Sequence, residues 1–132
     1  MVARLYLDTS VAVHALRGTP TAVTWFDRVT ANAEGELVSS RILKTELTRV
    51  LRRDREPVSG RDAILDHVAT IPVTEPILVI AEAITDHVKT LDAIHLASAI
   101  ALGDDVVVVT HDAGVKRVTE SLGLAHIDPV EQ

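Results

Sequence analysis

Apolar residues along this chain fall into short blocks that switch between two spacings. ARLYLD (3–8) is a brief apolar run closed by an acid, as suits a buried strand. TSVAVHAL and PTAVTWFDRVTANA follow with helical spacing, divided by Gly18-Thr19-Pro20, and Pro20 falls near a helix start, where proline is tolerated. ELVSS reads as a second strand, running into a helix from about Ser40 to Arg53. REPVSG reads as a loop, after which Ser59 can cap a helix over residues 60–69. Ile71-Pro72-Val73 is a candidate edge strand, since proline is tolerated there. Further helices are predicted near 76–84, 91–102 and 113–122, the last ending at Gly123. VVVVT (106–110) is a β-branched run without alternation, the pattern of a strand buried on both faces, and LAHI is a possible last strand.

Strands alternating with helices indicate an α/β sandwich around a mainly parallel sheet. Ligands in such folds bind beyond the carboxyl ends of the strands, near the point where strand order reverses. Asp8 ends the first strand and Thr110-His111-Asp112 ends the four-valine strand, so both acids fall where chemistry is expected. The 132 residues suit one domain with a single sizeable core.

Composition narrows the partners. The chain has no Cys, which excludes disulfides and thiolate metal sites and fits a reducing compartment. MVARLYLD reaches an acid too soon for a signal peptide, and the apolar stretch from Ala93 to Leu102 is interrupted by His95 and Ser98 and too short for a bilayer. The expectation is a cytoplasmic protein with no membrane partner. A net charge of −6 argues against a protein that coats nucleic acid, and Tyr6, Trp25 and Phe26 are too few to form base-stacking platforms. Yet seven of the 13 basic residues lie between Arg41 and Arg61: Arg41, Lys44, Arg49, Arg52, Arg53, Arg55 and Arg61. A solvated helix face and a phosphate-attracting patch both fit that run.

The acids raise the sharper question. Asp8, Asp92 and Asp112 each stand where an acid can cap a helix, and caps would need no further function. Glu46 escapes that account. At about 100° per residue, Ile42, Leu43, Leu47, Val50 and Leu51 form one apolar arc, and Glu46 falls inside it. A carboxylate facing a core needs a partner, either a buried arginine, with Arg49 at the arc's edge, or a bound cation. In LDAIHLASAI (91–100) apolar residues cover nearly the whole circumference, leaving one polar stripe of Asp92, His95 and Ser98 that must face a cleft or a polar partner. With no second histidine at ligand spacing, His95 reads as a residue supporting such a cleft. Carboxylates converging beyond the strand ends repel one another unless a cation neutralises them. Oxygen-only donors favour Mg²⁺ or Mn²⁺, ions that activate water and stabilise displacement at phosphorus. No nucleophile elbow, P-loop or dinucleotide fingerprint offers another chemistry.

LYLDTSVAV, SSRILKTEL, TLDAIHLASAIAL and VVVVTHDAGV, in that order and covering most of the chain, resemble the four motif blocks of PIN domains, and specifically of VapC toxins from toxin–antitoxin modules. LDAIHLASA is the most specific of them. The resemblance implies a three-layer α/β/α fold and a metal-dependent endoribonuclease that leaves 5′-phosphate and 3′-hydroxyl ends. It makes Asp8, Glu46, Asp92 and Asp112 the catalytic Mg²⁺/Mn²⁺ cluster, with Thr9, Ser10 and Thr110 supporting it. It also implies a homodimer, inhibition by a cognate antitoxin that binds operator DNA, and an RNA substrate, for which Arg41, Lys44, Arg49, Arg52 and Arg53 are the candidate contacts. His111 receives no role. A phosphatase with Asp8 as nucleophile would want an acid where Ser10 stands. A phospho-accepting receiver would want an acidic pair after the first strand, whereas Asp104-Asp105 precedes one. A non-catalytic metal-binding interaction module of the same fold remains the alternative.

Overall fold

The computed structural model describes residues 3–131. In chain order it comprises β1 (Arg4–Leu7), α1 (Thr9–Leu16), α2 (Pro20–Asn32), β2 (Glu36–Ser40), α3 (Ile42–Arg53), a 3₁₀ turn (Val58–Arg61), α4 (Asp62–Leu65), β3 (Ala69–Ile71), α5 (Glu75–Ala83), α6 (Thr90–Ala101), β4 (Val106–Val109), α7 (Ala113–Ser121) and β5 (Ala125–Ile127). The five strands form one sheet in the order β3-β2-β1-β4-β5, every pair parallel. The chain therefore winds outward from β1 in one direction, crosses back, and winds outward in the other, which puts the switch point between β1 and β4. Right-handed crossovers then send the two sets of helices to opposite faces.

Strand alternation divides the core accordingly. Leu5, Leu7, Leu37 and Val109 face Val11, Trp25, Phe26, Leu43 and Leu47 on one side. Tyr6, Val38, Val106 and Val108 face Leu96, Ala99, Val115 and Val118 on the other. The architecture is the expected α/β/α sandwich, with both sheet faces dry, which is why the valine run shows no polar alternation. Among the described residues, no helix is long and apolar enough to cross a membrane.

The stretch after α3 differs from expectation. The helix expected over 60–69 is a 3₁₀ turn followed by the four-residue α4, and Ser59 lies inside the turn and caps nothing. The reason is tertiary: Ala69, Thr70 and Ile71 are claimed by pairing with Val38, Ser39 and Ser40. The edge strand expected at Ile71-Pro72-Val73 is thus displaced to Ala69–Ile71, and Pro72, which has no N–H for a ladder, falls just past it. Ser40 ends β2, and its Oγ accepts from Ile42 N at 3.2 Å at the start of α3.

Candidate functional site

β1 delivers Asp8 to the carboxyl edge of the sheet, where it occupies the N-cap position of α1. It makes no capping bond. Its Oδ2 instead accepts from Ser10 Oγ at 2.7 Å and Thr110 Oγ1 at 2.9 Å. Those hydroxyls also tie down the end of β4: Ser10 Oγ accepts from His111 N at 2.9 Å and Thr110 Oγ1 from Asp112 N at 3.1 Å. Asp112 does cap, since its Oδ1 accepts from Val115 N at 2.9 Å at the start of α7. The two strand ends that flank the switch point are therefore stitched together, with one carboxylate on each.

Glu46 enters from α3. Its partner is not Arg49, which is exposed, but His95 of α6 together with Thr9. Glu46 Oε1 accepts from Thr9 Oγ1 and lies against His95 Nε2, both at 2.7 Å. His95 Nδ1 lies 2.7 Å from the Tyr6 hydroxyl, and the imidazole is only 2% exposed. Burial pushes the Tyr6 pKa well up, so the phenol keeps its proton while its hydroxyl pairs with Nδ1. The ionised Glu46 carboxylate can only accept, so Nε2 carries a proton and donates to it. Burial alone would raise the Glu46 pKa, but the bonds from His95 and Thr9 outweigh it and hold the carboxyl below its ordinary range. For His95, burial pulls the pKa down, and the Glu46 bond with the charges of Asp8, Glu46 and Asp92 more than reverses that.

Asp92 stands in the first turn of α6 rather than at its cap, which is Lys89, so the expected capping role is absent. Burial first, then the charges of Asp8 and Asp112, push its pKa up to about 6. Asp8, Glu46, Asp92 and Asp112 together line a cleft of about 310 Å³, shared with Thr9, Ser10, Val13 and His14. His14 is a member that sequence reasoning missed. Ser10 and His14 are four apart on α1 and so share a face, a spacing that could have found it. Its Nδ1 pairs with Thr19 Oγ1 at 2.8 Å.

The basic run is divided by its helix. Arg41 adjoins the cleft end of α3 and bonds Thr45 Oγ1, whereas Arg52 and Arg53 lie about 9 Å further along the axis than Glu46. Arg53 there approaches Asp54, which also pairs with Arg17.

The cleft's donor set suits a hard divalent cation. Asp8 Oδ1, Glu46 Oε2, Asp112 Oδ2 and both oxygens of Asp92 have no hydrogen-bond partner among the described residues, while the opposite oxygen of the first three is clamped. The acids stand further apart than a single-ion cage. The one trio of possible ligands within 4.8 Å among the described residues is His111, Asp128 and Glu131, and Lys116 already supplies its positive charge. Open spacing leaves room for a cation that keeps several waters and takes few protein carboxylates.

Fold and cleft together define a class of protein: a parallel-sheet sandwich with an acid-lined crevice at its switch point. The PIN domain family matches residues 5–121. Ribonuclease VapC47 of Mycobacterium tuberculosis (strain CDC 1551 / Oshkosh) is 30% identical over 132 residues, 95% of this chain and 96% of its own. Two solved structures share the fold. VapBC2 from Rickettsia felis, bound to a DNA fragment from its promoter, superposes with TM-score 0.74 at 16% identity, covering 95% of this chain and 98% of that one. A toxin–antitoxin complex from Klebsiella pneumoniae gives 0.72 at 18% identity, covering 95% and 97%. The chain belongs to the PIN-domain family and, within it, to the VapC group.

Proposed function

We propose that this chain, a single PIN domain over its 132 residues, is the toxin of a toxin–antitoxin pair and acts in the cytoplasm as a divalent-metal-dependent endoribonuclease. The observation that carries the reading is the cleft, where four carboxylates converge and three are clamped so that one oxygen stays free. The relative named as a ribonuclease and the neighbours that are toxin–antitoxin assemblies support it, as they support a cognate antitoxin partner. Asp8, Glu46, Asp92 and Asp112 would hold Mg²⁺ or Mn²⁺. When bound, such an ion lowers the pKa of a water and stabilises the charge that develops at phosphorus.

The chain's own groups do the positioning. Ser10 and Thr110 fix the Asp8 carboxylate, His95 and Thr9 turn Glu46 into the cleft, and the capping bond sets Asp112. Asp92, with no such bond, has the freedom to adjust to a ligand. Arg41, Lys44, Arg49, Arg52 and Arg53 would attract the RNA backbone, and a homodimer is the proposed assembly. In the test, purified protein is incubated with RNA in Mg²⁺, in Mn²⁺ and in excess EDTA, beside Asp92→Asn. Cleavage is expected to fall by about 1000-fold in EDTA and in the variant, a loss of about 4 kcal/mol in transition-state stabilisation, with the circular dichroism unchanged. Undiminished cleavage in either would overturn the reading.

A further inference from the structure

Beside the acid cleft lies a second hollow of about 260 Å³, lined by His87, Val88, Lys89, Asp92, Asp112, Gly114 and Arg117. Asp92 and Asp112 belong to both hollows, so the two form one trough that crosses the acid pair. Its far end is cationic. Lys89 and Arg117 are both exposed, and neither lies within 4.0 Å of a carboxylate among the described residues, although two acids line the same trough. The Arg117 guanidinium donates to His87 O at 3.1 Å, which holds it at the rim. Gly114 lies beneath it: a Cβ there would meet Arg117 Nη2 at 3.8 Å and Asp112 Oδ1 at 3.1 Å. This wall of the trough is bare backbone, and the exposed Arg117 stands beside it.

From this geometry we infer that Lys89 and Arg117 form a phosphate subsite, gripping the RNA backbone next to the bond that is cut. The inference rests on the ribonuclease reading and deepens it by giving the strand a direction across the protein. A polyanion entering a cleft of four acids is repelled by the chain's own charge, and the net charge of −6 offers little compensation elsewhere. Cations without carboxylate partners, one step from the reacting site, lower that barrier and fix the register of the strand. These two lie outside the Arg41–Arg61 run and reach the cleft from the α6–α7 side.

The experiment measures binding of a single-stranded oligoribonucleotide in an Asp8→Asn background at fixed Mg²⁺, over a range of salt. Adding Lys89→Gln and Arg117→Gln should weaken binding about 10-fold or more and flatten the plot of log K against log salt by about 1.4, or about 0.7 for each contact. In the otherwise wild-type enzyme the same pair should raise KM while leaving kcat within about twofold. Lys89→Gln alone, at a side chain that makes no hydrogen bond among the described residues, should give half the slope change and guards against misfolding. Wild-type cleavage with an unchanged slope in the variants overturns the subsite and leaves the ribonuclease reading standing. Absence of cleavage and of RNA binding by the wild type overturns both. Lost affinity for the antitoxin with an unaltered RNA slope also overturns the subsite, assigning the pair to a protein partner.

Discussion

Near the end of the chain, His111 Nδ1 lies 2.9 Å from Asp128 Oδ2, and Lys116 bridges Asp128 and Glu131. At the carboxyl edge of the sheet, Asp8, Glu46, Asp92 and Asp112 share a cleft that no lysine or arginine among the described residues bridges. The first cluster is the tighter by distance, and its donor atoms satisfy a compact ligand geometry. It is also finished, because its ammonium supplies the counter-charge and leaves little for a cation to gain. The second is looser and unbalanced, with Asp92 driven toward protonation by its neighbours. Uncompensated charge, more than proximity, marks where a ligand is needed.

That contrast can be broken most forcefully by titrating metal. Mn²⁺ binding, followed by calorimetry or by the loss of its free-ion resonance signal, should weaken by about 100-fold in Asp8→Asn, as expected when a ligand held by two hydroxyls is neutralised. Glu131→Gln should leave it unchanged. Wild-type affinity in Asp8→Asn, or a loss in Glu131→Gln, would show that distance had been the better guide.

How far the sequence revealed this depends on whether each signal was local. Asp8 and Asp112 were legible because a strand ending in an acid is a local pattern, and the sheet order placed both at the switch point. Glu46 was legible as a misfit in an apolar arc, and Asp92 and His95 as the polar stripe of a helix otherwise made for burial. Partners were not legible. Nothing in the order of residues says that Glu46 would meet His95, 49 positions away, or that His95 would lean on Tyr6, 89 positions away. The misread helix over 60–69 has the same origin: local propensity lost to pairing with β2 across the sheet. Lys89 and Arg117 gave no signal as a pair because 28 positions separate them.

The two histidines sharpen the comparison through fold stability. His95 is buried between a phenol and a carboxylate, so His95→Ala strips Tyr6 and Glu46 of their shared partner and leaves a hole. The expected loss is about 3 kcal/mol, seen as a lower urea midpoint at unchanged slope. His111 is 34% exposed, and Lys116 still serves Asp128 when the imidazole is gone. His111→Ala should cost under about 1 kcal/mol. Equal losses at the two positions would mean that the tail cluster carries more of the fold than its exposure suggests.

The smallest effect is the most diagnostic, because the two clusters should respond to pH with opposite sign. Asp92 has a folded pKa of about 6 against an ordinary 3.8, so the folded state favours its protonated form. Its contribution is fully present below pH 3.8 and is lost as pH rises through about 6. The shift corresponds to about 3 kcal/mol at full strength, and solvent at the half-exposed carboxyl reduces this to about 1 kcal/mol. Asp128 runs the other way. Burial works against its charged form, but Lys116 and His111 outweigh burial and hold its pKa below the ordinary value. Its contribution is present above pH 3.8 and is lost as pH falls through the folded value. Urea unfolding in EDTA across pH 3–7.5 should therefore show a dome whose two limbs belong to different clusters. Asp92→Asn should flatten the limb near pH 6, and Asp128→Asn the acid limb. Saturating Mg²⁺ should restore stability on the Asp92 side alone, since an ion that binds only the folded cleft stabilises it by mass action. A limb near pH 6 that survives Asp92→Asn would remove the evidence that charge in the cleft is uncompensated, and with it the distinction between the two clusters.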